Sequence, residues 1–144
     1  MNVSGLLKGK GTDVVTVVPE ATTTEVVSRL AEHRVGAVVV SADGRRIDGV
    51  VSERDIVRAL ADRGVEAMED PASAIMTTTV FTCQPDTTVD QLMALMTERR
   101  IRHVPVVVED ELAGIVSIGD VVKDRISDLE TETQVLHEYI QHGR

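Results

Sequence analysis

Gly49-Val50-Val51-Ser52-Glu53-Arg54-Asp55 and Gly114-Ile115-Val116-Ser117-Ile118-Gly119-Asp120 decide the fold, because they are one motif repeated 65 positions apart. Pro19 and Pro85 stand 66 apart, so one residue has been lost from a loop between the copies. Thr16 and Thr82, Thr22 and Thr88, Val35 and Ile101, and Val40 and Val106 fall into the same register. A period this long exceeds the roughly 20–50 residues of solenoid units. It describes two copies of a small folding unit, which should pack about a pseudo-twofold axis with clefts in related pairs.

Around the motif, each copy reads as strand, helix, strand, strand, helix. A lead-in helix over residues 3–8 precedes the first, ended by Gly9 and Gly11. Residues 14–18 are a valine-rich strand closed by Pro19, since branched side chains suit a pleated surface. Thr22-Thr23-Thr24-Glu25 has the spacing of a capping box. The helix it starts should bury Val26, Val27, Leu30 and Ala31 and end at His33-Arg34, cations at the negative end of the dipole. Strands over 36–40 and 48–51 flank a turn at Asp43-Gly44, and a helix over 53–63 closes at Gly64. Asp70-Pro71 reads as an N-cap with proline at the first helical position of a short connecting helix ending at Met76. The second copy repeats the order. It has a strand over 80–84 closed by Pro85, and a helix from Thr88, with Gln91 completing the box, that buries Leu92, Met93 and Met96. Strands over 104–108 and 112–116 follow, then a helix from Ile118 to about residue 141. In that last helix Val122, Ile126, Leu129, Thr133, Leu136 and Ile140 recur at spacings of four and three, a heptad seam. It fits a helix lying along its own domain or an intermolecular coil.

Bulk composition narrows the function. With 42% hydrophobic and 27% charged residues, 144 residues suffice for one soluble globular body with a real core. Phe81 and Tyr139 are the whole aromatic set, so the core must be aliphatic. A net charge of −9 opposes phosphate-mediated nucleic-acid binding, and stacking platforms for single strands need aromatics that are absent. No apolar run approaches the roughly 20 residues that span a bilayer, and the first residues lack an export-signal design. One cysteine, Cys83, forms no internal disulfide and suits a reducing compartment, so a cytoplasmic location without membrane contact is expected. His33, His137 and His142 lack metal-ligand spacing, and a Cys83/His103 nucleophile pair would lack an orienting third residue. Neither a metal site nor a catalytic set is expected.

The motif's own chemistry admits two readings. Ser52-x-x-Asp55 and Ser117-x-x-Asp120 have capping-box spacing, so the aspartates could simply satisfy helix-start amides. Alternatively, a helix N-terminus favours an anion, and a carboxylate there can accept hydrogen bonds from the vicinal hydroxyls of a ribose. A glycine in the strand would let a flat base approach the backbone. Recurrence of the same glycine, serine and aspartate in both copies favours the second reading, because capping alone tolerates several residue types.

The paired motifs, with Ile75-Met76-Thr77 ahead of the second copy and Ile101-Arg102-His103-Val104-Pro105-Val106 within it, resemble a tandem pair of cystathionine-β-synthase (CBS) domains, the Bateman module. The resemblance implies an α/β (α+β) fold of two pseudo-twofold-related βαββα units packed through their sheets, commonly dimerising, here with an extended C-terminal helix. Drawn on this sequence, the units are 7–65 and 77–126, with a connecting segment 66–76 and an extension 127–144. The family binds adenosyl compounds without chemistry: AMP first among them here, with ADP, ATP, NAD or S-adenosylmethionine as alternatives, and no cofactor or metal required. Carried over by position, Asp55 and Asp120 would hold ribose hydroxyls, with Ser52 and Ser117 beside ribose or phosphate. Thr16 and Thr82 would lie near the base, with Val50 and Ile115 as apolar walls. Arg102, His103 and Gly119 would face the cleft of Asp55, and Gly36, Ala37 and Arg54 that of Asp120. Arg102-His103 corresponds to Gly36-Ala37, so the two clefts should bind phosphate unequally. The implied function is a regulatory sensor, a homodimer acting on an unidentified protein target. The alternative is an oligomerisation or docking module with vestigial clefts, working through its C-terminal helix.

Overall fold

The protein, described over residues 1–142 by a computed structural model, is a mixed α/β molecule. The lead-in helix is α1 (Val3–Lys10), and the first copy follows as β1 (Thr16–Val17), α2 (Thr23–His33), β2 (Ala37–Val40), β3 (Gly49–Ser52) and α3 (Glu53–Arg63). Its sheet has the order β1-β2-β3, parallel at the first pair and antiparallel at the second. A 3-10 turn (Gly64–Glu69) and α4 (Ala72–Ile75) lead to α5 (Val89–Arg99), β4 (His103–Val108), β5 (Glu111–Ser117) and α6 (Ile118–His142).

Local chemistry accounts for most element starts. Thr22 accepts the Glu25 amide at 3.2 Å, so the hydroxyl half of the first box forms, while Thr88 and Gln91 complete theirs in both directions. Arg34 and Arg100 end α2 and α5 in the left-handed conformation at matching positions. Glu109 and Asp110 both have positive φ, as a two-residue hairpin turn requires. The lost residue lies in this second hairpin: Val40 pairs with Gly49 across eight intervening residues and Val106 with Gly114 across seven.

Four expectations need correction. The strand over 80–84 reduces to one parallel bridge from Cys83 to Val106, in the register of Val17 on Val40. In the first copy Val39 extends the ladder by donating its amide to Val15; Pro105 occupies the matching position and has no amide to give. Asp70 does not cap α4. Pro71 holds the N-cap position without a side-chain bond, and Asp70 takes a two-point ion pair with Arg63 at 2.8 and 3.0 Å. Ala31 is exposed on a groove between α2 and α3, so α2 buries Thr23, Val26 and Leu30, with Val27 at the margin. Met93 is likewise exposed, and Val89 takes the core position beside Leu92 and Met96.

The two copies are completed crosswise. Val3, Leu6 and Leu7 of α1 pack into the second copy's core with Leu92, Val104, Val106 and Val116. Ala72 of α4, with Ile75 and Met76, packs into the first copy's core with Val26, Val38, Val40 and Val51. Matching backbone bonds fix both segments: Ser4 donates to the Pro85 carbonyl at 2.8 Å, and Ser73 to the Pro19 carbonyl at 3.1 Å. A first unit drawn from residue 7 therefore begins in a helix packed on the other unit.

The repeated glycines serve this crossing. A Cβ on Gly49 would sit 2.6 Å from Met76 Sδ and 2.9 Å from the Thr77 carbonyl; one on Gly114 would sit 3.0 Å from Leu7. Their bare faces are covered by the crossed segments, not left open for a base. Gly49→Ala should accordingly destabilise by about 1–3 kcal/mol through overpacking. Gly9→Ala, with nothing within 4 Å of its Cβ, should stabilise α1 by up to about 1 kcal/mol, both read by urea denaturation.

Candidate ligand site

Both motif aspartates cap their helices. Asp55 Oδ2 accepts the Ser52 amide at 2.8 Å and the Ser52 hydroxyl at 3.1 Å, and the Asp55 amide returns to Ser52 Oγ at 3.4 Å. Asp120 Oδ2 accepts the Ser117 amide at 2.8 Å, and its own amide returns to Ser117 Oγ at 3.2 Å. The capping reading is thus realised in each copy. It leaves acceptor capacity over, because a carboxylate offers about four lone-pair sites.

What takes that capacity differs between the copies. Past α4, Thr77 pairs with Val50 through both backbone bonds (3.0 and 2.9 Å), and its hydroxyl donates to Asp55 Oδ1 at 2.9 Å. At the last residue of α1, Lys10 reaches the matching place, its Nζ donating to the Ile115 carbonyl at 2.9 Å and to Asp120 Oδ2 at 2.6 Å. One aspartate meets a neutral hydroxyl and the other an ammonium ion. Burial works to raise the Asp120 carboxyl, but the Lys10 bond, the Ser117 amide and the Lys10 charge together hold it below the usual aspartate range.

A cavity of about 500 Å³ opens beside Asp55, a size common for small-molecule sites. One wall is the β3–α3 junction, with Val50, Ser52, Arg54, Asp55 and Arg58. The segment from Thr77 to Phe81 forms the floor, and the α5–β4 junction, residues 99–103, closes the far side. Arg54, Arg58, Arg99, Arg100 and Arg102 all line it, five of the 15 lysines and arginines of an acidic chain. Arg99 also stacks over the Phe81 ring, 4.8 Å from its centroid. His103 is half-buried; burial, with help from Lys10 and Arg102, lowers its pKa against the opposing pull of Glu53 and Asp120. Its imidazole is therefore neutral at neutral pH, able to donate from one nitrogen and accept at the other.

The expected site residues divide accordingly. Val50, Ser52, Asp55, Arg102 and His103 meet at this cavity, and Gly36 and Arg54, assigned to the other cleft, line it too. A Cβ on Gly36 would sit 3.0 Å from Glu53 Oε1 and 3.1 Å from His103 Cε1, so this glycine lets the two junctions converge. Ala37 is buried within β2, opposite Ser52. Thr16 sits in β1 against Val39, and Thr82 is exposed beside the Cys83 bridge; neither lines the cavity. Ile115, Ser117 and Asp120 gather around Lys10, and Gly119 is exposed on the first turn of α6. Thr77, Thr79 and Phe81 also line the cavity and carry no local sequence signal, since only the pairing of Thr77 with Val50 brings this segment to β3. The basic run over 99–103 was a visible signal for Arg99 and Arg100, which end a helix and line the cavity at once. Cys83 is buried, which pushes its thiol up to about 11, so it is no nucleophile. Among the described residues no group of three His, Cys, Asp or Glu is placed to hold a metal ion, and no helix is long and apolar enough to cross a membrane.

Comparison with known proteins adds a family. The CBS domain model matches twice, over residues 11–62 and 72–126. A mitochondrial CBS domain-containing protein of Arabidopsis thaliana is 34% identical over 98% of this chain and 72% of its own. A crystal structure of a CBS-domain protein from Agrobacterium tumefaciens shares 50% identity and a TM-score of 0.81, covering 86% of this chain and 98% of that one. A Pyrobaculum aerophilum CBS domain protein, complexed with AMP, shares 35% identity and a TM-score of 0.77, covering 92% of this chain and 99% of its own.

The Lys10–Asp120 pair gives a signed pH prediction. A depressed carboxyl contributes stability that is full above the ordinary aspartate range and is lost as pH falls through the lowered value. Lys10→Met should cost about 1 kcal/mol at neutral pH, in keeping with a partly exposed pair. The gap to the parent should close on acidification, as followed by urea denaturation across that range.

Proposed function

Because the chain belongs to the CBS domain family, with two such domains in tandem, we propose that it is a regulatory sensor of an adenine nucleotide. The nucleotide sits in the cavity beside Asp55, and its arrival changes shape or association without chemistry. The observation that carries this reading is five arginines around one cavity in a protein of net charge −9. Such a lining favours a phosphate-bearing ligand over the sulfonium cation of S-adenosylmethionine. AMP is the first candidate, by analogy with the AMP complex of the Pyrobaculum relative, and ATP and NAD share the same chemistry. The remaining acceptor capacity of Asp55 would receive a ribose hydroxyl, with Thr77 holding the carboxylate in place.

At Asp120 the Lys10 ammonium already occupies the place a sugar hydroxyl would take, so one nucleotide per chain is the expected stoichiometry. The exposed groove between α2 and α3, where Val57 is 65% exposed, suits pairing with a second copy. In such a homodimer the chain would regulate a separate protein in the cytoplasm.

Titration calorimetry with AMP, ATP, NAD and S-adenosylmethionine tests the reading. Saturation near one phosphate-bearing ligand per chain is expected, with about 2.7 kcal/mol of stabilisation at 100 times the dissociation constant. Arg102→Ala, an exposed position outside both caps, should weaken binding by about 1.5–3 kcal/mol while the fold persists. Heat and melting temperature unchanged by all four ligands would remove the proposal.

A further inference from the structure

Beyond Arg125 the C-terminal helix leaves its own domain. Val121 is the last buried residue of α6, and every position from 126 to 142 is exposed. Of the two readings of the heptad seam, a helix lying along its own domain is therefore ruled out. Ile126, Leu129, Leu136 and Ile140 stand 51–61% exposed in one row, with Thr133 at the centre. An apolar stripe of this kind on a free helix needs a cover.

We propose that the cover is the same helix of a second copy, in a parallel two-stranded coiled coil over residues 126–140. The seam alternates branched residues at one core position (Ile126, Thr133, Ile140) with leucine at the other (Leu129, Leu136). β-branched residues at the first core position with leucine at the second favour two parallel strands, and a single polar residue at the first position fixes register and number of strands at some cost in stability. Flanking charges select the direction. In the parallel arrangement Arg125 faces Glu130 of the second copy, and Glu132 faces His137. Reversing one helix with the seam fully overlapped places Glu130 against Glu130 and Glu132 against Glu132. Arg125 also contacts Asp90 on α5, so its ion pair across the coil would be shared with its own domain.

Two heptads are short for an isolated coil. Here the first turns of α6 are fixed on a folded body by Val121, so the helix is already nucleated. Association elsewhere on the two chains would raise the effective concentration of the seams.

Cysteine cross-linking in the full chain tests both contact and direction. Leu129→Cys and Leu136→Cys, each alone under mild oxidation, should convert to covalent dimer on non-reducing gels. Thr131→Cys, on the opposite side of the helix, should not, because disulfide formation demands close Cβ atoms. The native Cys83 is buried, so the parent chain serves as an unlinked control. No dimer from either leucine position overturns the proposal, as does equal linking at 131. Linking only in a mixture of Leu129→Cys and Thr133→Cys chains overturns the parallel direction. These outcomes do not depend on the nucleotide reading, which calorimetry judges separately.

Discussion

Each half of this molecule is closed by the segment that precedes the other half. The sheet of one copy has a face that its own two helices do not fill, and the missing apolar volume comes from α1 or α4. Burying Val3, Leu6 and Leu7 on the second core, at about 25 cal/mol per Å² of apolar surface, ties the N-terminus to the far end of the sequence. Neither copy owns a complete core, so the two should fold as one cooperative body. The repeated glycines follow from this constraint, because a strand can accept a crossing segment at van der Waals distance only where no Cβ stands in the way.

The same crossing delivers one polar arm to each motif aspartate, and the two arms are not equivalent. A threonine hydroxyl holds Asp55 without neutralising it and leaves a cavity at its side. A lysine ammonium closes over Asp120 and ties it to the Ile115 carbonyl. Duplication supplied two similar helix starts, and substitution in the flanking segments made one an opening and the other an internal ion pair. The basic junction over 99–103 then adds arginine charge to the cavity beside Asp55, with Arg102-His103 standing where the other copy has Gly36-Ala37.

Much of the fold was legible locally because its determinants are local. α3 runs over 53–63 as its capping serine and terminal glycine dictate, and Thr88-Gln91 forms the box its spacing announces. The family resemblance likewise rests on the motif order, and the double CBS match agrees with it. Misreadings arose where a distant residue decided the outcome. Pro105 cancels the strand over 80–84 by withholding one amide, although that strand's own residues are well suited to pair. Arg63 diverts Asp70 from its cap, and the spread of α2 from α3 exposes Ala31.

By itself the sequence determined the duplication, the element order, the caps and the aliphatic core, all set by spacing and side-chain type within about ten residues. Only the tertiary structure decided that Thr77 and Lys10 are the partners of Asp55 and Asp120, that five arginines share one cavity, and that α6 departs from its domain. Those facts depend on contacts between residues up to 110 positions apart. No local pattern encodes such a pairing, because it exists only once two half-built cores have exchanged their covers.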